Sequence, residues 1–165
     1  KSYDNNHGTH VAGIIGANGN NNLGVSGVCW DVNLMNLKVF QDAGRGGAPD
    51  RAILEAIRYA TDNGADIINL SLGFNIGQYI VDGGLYFSGT FEDFKRIEPN
   101  GYNQYYSALK YASDKGCTII AAAGNDYSSN DLFSCIPADF ASFLRSSVNS
   151  PKAESLTSLI TSLEF

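Results

Sequence analysis

The sequence has no cluster of basic residues and no long apolar segment. Its 11 lysines and arginines are outnumbered by 17 aspartates and glutamates, which gives a formal net charge of -6. The longest basic run is the pair Lys95-Arg96, so we predict no nucleic-acid partner. No apolar run approaches the roughly 18 residues that span a bilayer, and no membrane segment is predicted. The opening residues 1–4 do not have the pattern of a signal peptide.

Cysteine is scarce, and its spacing does not suggest a metal site. Cys29, Cys117 and Cys135 lie far apart and form neither a CxxC motif nor a Cys/His cluster. A fold held together by metal is therefore disfavoured. Two interpretations remain open: small buried hydrophobic residues, or one disulfide with a remaining thiol.

Glycine is missing from every position after Gly124, although the chain has 18 glycines. The 165 residues suit a single globular core. We therefore predict one unit over residues 1–140 and a divergent, serine-rich tail over residues 141–165. Within the tail, an amphipathic helix is predicted from the spacing of Leu156, Leu159, Ile160 and Leu163.

Before the tail, helical and strand patterns alternate. The predicted helices are His7–Ala17, Pro49–Asn63 and Tyr105–Lys115, and the predicted strands are Val32–Phe40, Ala65–Leu72 and Cys117–Ala123. This alternation predicts an α/β fold with a mostly parallel sheet flanked by helices. The first helix is rich in small residues and is expected to be buried. Residues 74–104 show no sustained periodicity and are predicted to form a long surface insertion.

Two histidines, His7 and His10, begin the first helix, in the string HGTHVAGIIGA. A zinc-binding pair of the zincin type needs a spacing of four residues and an adjacent glutamate, and this string has neither. The string is similar to the histidine signature of subtilisin-like serine proteases, and Asp4-Asn5-Asn6 precede it much as in that family. A structural histidine is the alternative.

A second motif, AAAGN, ends the strand that closes at Ala123 and places Asn125 just beyond it. An amide at the end of a buried strand can donate a hydrogen bond to an oxyanion formed during attack on a carbonyl. The alternative is a simple Gly-Asn turn. In subtilisin-like proteases the matching asparagine is the oxyanion donor, so the resemblance implies this role for Asn125.

Two further segments follow in family order. The resemblance implies that Gly44, Arg45 and Gly46 on one side, and Ser71, Leu72 and Gly73 on the other, pair with the backbone of an extended polypeptide substrate. Ala122 and Gly124 would line the primary specificity pocket. A phosphate-binding loop is the alternative for the first segment, but no Lys-Ser/Thr follows it.

The loop GNNNLGV, residues 19–25, resembles a calcium-binding loop of the family. The resemblance implies ligands from the side chain of Asn21 and the carbonyls of Leu23 and Val25. Oxygen ligands suit calcium, although this loop has no carboxylate. An asparagine-rich surface turn is the alternative, and no cofactor is expected for the chemistry itself.

The resemblance to subtilisin-like proteases extends over about residues 4–139, interrupted after Gly73. It implies a three-layer fold, here incomplete at both ends, and an endopeptidase in which His7 acts as general base. The family's aspartate lies on a separate strand upstream, and its serine belongs to a Gly-Thr-Ser-Met-Ala string. Neither has a match here: Asp4 is not assigned to the triad, and no such string follows Asn125.

The expectation is therefore an endopeptidase whose residues 1–165 are inactive alone. The alternatives are a pseudoprotease that binds peptides and, less favoured, a calcium-dependent structural module. Family habit also suggests an extracellular or secretory location and a pro-segment.

Overall fold

The computed structural model describes residues 6–40, 47–75, 80–81, 85–86, 90–125, 135–140 and 159–164. Its helices are α1 (His7–Gly16), α2 (Asp50–Asp62), α3 (Phe91–Ile97) and α4 (Pro99–Asp114). Its strands are β1 (Asn33–Lys38), β2 (Ile67–Leu70), β3 (Phe74–Asn75), β4 (Ile80–Val81), β5 (Leu85–Tyr86), β6 (Thr118–Ala121), β7 (Cys135–Ile136) and β8 (Leu159–Glu164). The predicted alternation of helices and strands up to Ala121 is confirmed.

A four-stranded parallel sheet in the order β1-β8-β2-β6 organises these elements. Two antiparallel ribbons, β3 with β7 and β4 with β5, accompany it. The helix predicted for the tail is wrong where the structure describes the tail, because Leu159–Glu164 form strand β8. Hydrogen bonding to strands on both sides satisfies the backbone there, and this outweighs a local spacing that also fits a helix.

The main core lies between the sheet and the pair of helices α2 and α4, which pack against each other. Alternation along β2 turns Ile68 and Leu70 into this core. Tyr105 of α4 is buried there, and burial raises the pKa of its phenol. Its hydroxyl donates a 2.8 Å hydrogen bond to Asp50 Oδ1 at the start of α2. The two helices are thus joined by a polar contact as well as by packing.

The last part of the predicted insertion, residues 74–104, is helical. Thr90 begins α3 with a capping box in which its side chain and that of Asp93 bond to each other's backbone N–H groups. Hydrogen bonds from Arg96 and Thr90 lower the pKa of Asp93 to about 2. Pro99 then starts α4 six residues earlier than expected.

Aromatic packing explains why this segment folds onto the body of the protein. Phe94 of α3 and Tyr102 of α4 are buried in the core. The ring of Phe140 lies 4.8 Å from that of Phe91, at 83° to it. Edge-to-face contacts of this kind add to the free energy of burial. Residues 91–104 are therefore packed onto the core through Phe94 and Tyr102.

All three cysteines lie in the described residues, and none of them forms a disulfide. Cys117 and Cys135 are buried, as expected for small hydrophobic residues, whereas Cys29 is exposed. Burial raises the pKa of the Cys117 thiol, which donates to the carbonyl of Ala65. Within the described parts of the chain, no helix has the length and hydropathy required to cross a bilayer.

Helix α1 is held by the loop that follows it. The N–H groups of Gly27, Val28 and Cys29 donate to the carbonyls of Ala17, Ile14 and Ile15, which α1 itself leaves without helical partners. The prediction of a buried helix is wrong, because Gly8 is the buried residue of α1 and Ile14 is 64% exposed. The loop, more than burial, therefore fixes the position of α1.

Gly27 is the point at which the loop comes closest to α1, and we expect Gly27→Ala to destabilise the protein by disrupting this contact. A Cβ at residue 27 would lie 2.4 Å from the backbone nitrogen of Ala17, and backbone cannot move aside as a flexible side chain can. The free energy of unfolding should fall by about 3 kcal/mol, as measured by urea titration. Gly47→Ala is the matched control, since a Cβ at residue 47 meets nothing within 4 Å. Equal losses in the two variants would contradict the prediction.

Candidate functional site

His7 is the first residue of α1, so its position depends on how that helix lies on the sheet. Gly16, at the other end of α1, lies against the start of β1, where an added Cβ would be 2.9 Å from Val32 Cγ1 and 3.2 Å from Leu34 Cδ1. Helix α1 also contacts β8. The His7 end of the helix is therefore directed toward the opposite edge of the sheet, where the parallel strands end. We call this the carboxyl edge: the residues that follow Lys38, Leu70 and Ala121.

The two histidines have different surroundings. His7 is partly buried, and its Nδ1 atom is fully buried, whereas His10 is exposed. The N–H of His10 donates to the carbonyl of Asn6 in the first turn. Among the described residues, no three His, Cys, Asp or Glu side chains come together as a metal cluster. Of the two histidines, His7 is therefore the more buried.

Asn125 lies beyond the end of β6, at the carboxyl edge. The N–H of Ala122 donates to the carbonyl of Leu70 at 3.0 Å, which extends the pairing of β6 with β2 by one step. Gly124 then has a φ of +99°, a conformation that favours glycine. Ala122, Gly124 and Asn125 are all exposed. The amide of Asn125 is thus accessible to a ligand at this edge.

The segment Ser71–Gly73 lies beside that turn, because β2 and β6 are neighbours in the sheet. The side-chain amide of Asn69 donates to Ser71 Oγ at 2.9 Å. The side chain of Leu72 is only 3% exposed. Leu72 can therefore contact a ligand through its backbone and not through its side chain.

Gly73 allows a second strand pair to approach this segment closely. A Cβ at residue 73 would lie 3.0 Å from the carbonyl oxygen of Ile136 and 3.1 Å from Cys135 Sγ. Cys135 also donates to the carbonyl of Ala122, at 3.7 Å between sulfur and oxygen. The ribbon of β3 and β7 thus contacts both Gly73 and the end of β6 at Ala122. Sequence reasoning did not identify this support, since a two-residue strand leaves no periodic signal.

Of the other predicted site segments, some lie outside the described residues and one is described. Gly44, Arg45 and Gly46 lie outside the described residues, and so does Asp4. The 19–25 loop is described: Asn20 and Asn22 have positive φ, and Asn21 Oδ1 accepts a hydrogen bond from the N–H of Leu23. The ligands named from the sequence are neutral amide and carbonyl oxygens, a type of donor that calcium binds. The structure therefore brings Ser71–Gly73 together with Ala122–Asn125. The 19–25 loop is a separate candidate site.

Comparison with known proteins identifies the family. The family model described as "Subtilase family" matches residues 1–154. The chain therefore belongs to the subtilase family, whose three-layer α/β fold agrees with the helices and parallel sheet described above. The fold class predicted from the sequence is confirmed.

Three relatives show the extent of the similarity. The chain is 37% identical over 125 residues to the thermophilic serine proteinase of Bacillus sp. (strain AK1), covering 76% of this chain and 25% of that protein. It is 34% identical over 121 residues to thermitase of Thermoactinomyces vulgaris, and the match covers 73% of this chain and 34% of thermitase. It is 32% identical over 123 residues to the minor extracellular protease Epr of Bacillus subtilis (strain 168), and the match covers 74% of this chain and 15% of Epr. The chain thus spans about a third or less of these relatives. No solved structure matches it.

Proposed function

We propose that this chain is the part of a subtilisin-type serine endopeptidase that supplies the general base and the oxyanion donor. The observation that carries the proposal is the arrangement of the carboxyl edge. The exposed amide of Asn125 follows β6, beside the Ser71–Gly73 segment, and α1 directs His7 toward the same edge. An acyl-transfer site needs these two functions within reach of one carbonyl group.

In this proposal His7 accepts the proton of the serine that attacks the peptide carbonyl, and then delivers it to the leaving amine. Asn125 donates a hydrogen bond to the oxyanion of the tetrahedral intermediate. The aspartate and the serine of the triad come from sequence outside residues 1–165, since neither family string has a match within them. Residues 1–165 alone are accordingly proposed to be inactive.

The substrate is a polypeptide in extended conformation. Ser71–Gly73 would pair with its backbone on one side, and Gly44–Gly46 on the other. Main-chain pairing agrees with the burial of the Leu72 side chain, which leaves the backbone of that residue for the ligand. Ala122 and Gly124 would line the pocket for one substrate side chain, because both are exposed and neither fills the space in front of it.

Calcium at the 19–25 loop is proposed as a structural ligand without a part in the chemistry. Asn21 Oδ1 and the carbonyls of Leu23 and Val25 would hold it. Location outside the cell and a pro-segment are further proposals. The location is supported by the relative Epr, which is named as a minor extracellular protease.

A comparison of two polypeptides tests the function. One is residues 1–165, and the other is the same sequence extended to include an upstream aspartate strand and a downstream Gly-Thr-Ser string. Both are assayed on an unstructured protein and on a peptide ester. We expect turnover from the extended polypeptide and none above background from residues 1–165. Turnover by residues 1–165 that His7→Ala abolishes would contradict their inactivity. Binding of an extended peptide to both polypeptides, with cleavage by neither, would favour a peptide-binding pseudoprotease instead.

A further inference from the structure

The candidate substrate-binding segment Ser71–Gly73 is joined directly to the part of the chain at which the family resemblance is interrupted. Phe74 follows Gly73 and pairs with Ile136 in the ribbon of β3 and β7. Helix α3 lies within residues 74–104 and packs against α4. Contacts that hold Phe74 therefore also hold one end of the segment that would bind the substrate.

The side chain of Phe74 contacts both α3 and α4. Its ring centroid lies 6.1 Å from that of Phe94 in α3, at 78°, and 5.9 Å from that of Tyr105 in α4, at 59°. Phe94 and Tyr105 are buried members of the core. Tilted and edge-to-face pairs of rings at such distances attract each other beyond the area that they bury. Phe74 is thus anchored by two rings, one of which α3 supplies.

Phe94 is itself closely packed. An added Cβ at Gly101 of α4 would lie 3.4 Å from Phe94 Cζ, so α3 and α4 approach each other at this glycine. The ring of Phe94 also lies 6.3 Å from that of Tyr102 and 6.5 Å from that of Phe140. Close packing on several sides leaves a side chain few alternative positions. Phe94 can therefore hold Phe74 in one place.

The segment before Phe74 is held from its other end. The side chain of Asn69 donates to Ser71 Oγ, and the side chain of Leu72 is buried. Gly73 is exposed and has no side chain to anchor it. Glycine has more backbone freedom to lose than any other residue, so the order of Gly73 depends on its two neighbours. Leu72 is one of these neighbours, and Phe74 is the other.

We propose that α3 supports the substrate-binding segment, and that Phe94 is a positioning residue that acts on Ser71–Gly73 through Phe74. A segment that is already held in place pairs with a substrate backbone without the cost of ordering it during binding. Phe94 itself touches no substrate and takes no part in the chemistry. This inference rests on the proposed function, because it concerns the same substrate-binding segment.

The first test needs no catalysis and uses residues 1–165. Phe94→Leu keeps an apolar side chain and removes the ring. Hydrogen–deuterium exchange at residues 70–75, followed by mass spectrometry, should become about 2- to 10-fold faster, the factor that corresponds to the energy of one aromatic pair. Exchange in α2 should change less. Equal acceleration at residues 70–75 and in α2 would show general destabilisation, and it would overturn the proposal.

Phe91→Leu is the matched control on the same helix. It removes ring contacts with Tyr102 and Phe140 and leaves Phe94 in the chain. Its effect on exchange at residues 70–75 should be smaller than that of Phe94→Leu. Equal effects of the two substitutions at residues 70–75 would mean that Phe94 has no special role there.

A double-mutant cycle tests whether Phe94 acts through Phe74. If it does, the variant that combines Phe74→Leu with Phe94→Leu should exchange at residues 70–75 at nearly the rate of Phe74→Leu alone. Residues in contact show this kind of non-additive effect, whereas independent residues do not. Effects that multiply in the combined variant would show that Phe94 acts by another route, and would contradict the proposal.

The last test uses the extended polypeptide with an aspartate and a serine. Phe94→Leu should raise KM for an extended peptide by up to about 10-fold, with kcat nearly unchanged. The ester of a single amino acid is too short to pair with Ser71–Gly73, so its kcat/KM should stay the same. Equal losses on both substrates would overturn the proposal. Faster exchange at residues 70–75 without any turnover by the extended polypeptide would contradict the proposed function and not the role of Phe94.

Discussion

His7→Ala is expected to lower kcat by about 10⁶-fold in the extended polypeptide that contains an aspartate and a serine, a magnitude taken over from subtilisin itself, a member of this family. Alanine cannot accept the serine proton, so the hydroxyl remains a weak nucleophile. Because His7 acts on the reacting atoms and does not hold the rest of the substrate, KM should change little. The measurement is steady-state hydrolysis of a chromogenic peptide, with the concentration of folded enzyme determined independently.

His10→Ala is the matched control for this experiment. His10 is one turn further along α1 and is exposed, so its loss should leave kcat within a few-fold of the parent value. A loss of similar size in both variants would mean that the substitutions disturb α1 as a whole. Full turnover by His7→Ala would remove His7 from the mechanism, and with it the central part of the proposed function.

Asn125→Ala should lower kcat by about 10²- to 10³-fold, which corresponds to about 2.7–4 kcal/mol and is again the value known for subtilisin. The side-chain amide donates to an oxygen that becomes negatively charged in the transition state. A bond that is stronger in the transition state than in the ground state lowers kcat when it is lost and leaves KM nearly unchanged. The same extended polypeptide and peptide substrate provide the measurement.

The control for Asn125 is Asn103→Ala, which removes an exposed amide from α4. It should leave kcat and KM unchanged. An increase in KM with constant kcat in Asn125→Ala would contradict the role of oxyanion donor, because it would show an interaction made equally in the ground state. In that case Asn125 would be a substrate-positioning residue of the pocket lined by Ala122 and Gly124.

The sequence was most informative where a local signal marked the end of an element. Pro49 precedes α2 and Gly64 follows it with a φ of +82°, so both ends were predicted closely. Gly116, with a φ of +91°, marks the end of α4 in the same way. The missed start of that helix at Pro99 shows the limit of periodicity, since aromatic contacts from several elements hold residues 91–104 in place.

The tail shows why some elements could not be predicted from their own residues. Leu159, Ile160 and Leu163 fit one face of a helix, and nothing within the segment indicates a partner strand. Its conformation depends on the open edges of β1 and β2, which lie about ninety or more residues earlier. Strand pairing at that distance in sequence is a property of the whole fold. In the candidate site, the motifs at His7 and Asn125 were recognised, but the buried side chain of Leu72 became evident only from the structure.

The two isoleucines of β6 point to opposite faces of the sheet. Ile119 enters the core with 8% of its surface exposed, whereas Ile120 remains 49% exposed on the other face. Full burial of an isoleucine side chain stabilises a protein by about 1.5–3 kcal/mol, so roughly half of that gain is left unrealised at Ile120. A further layer of polypeptide packed over that face would therefore raise the melting temperature without a change to β6. The melting temperature thus depends in part on what covers Ile120.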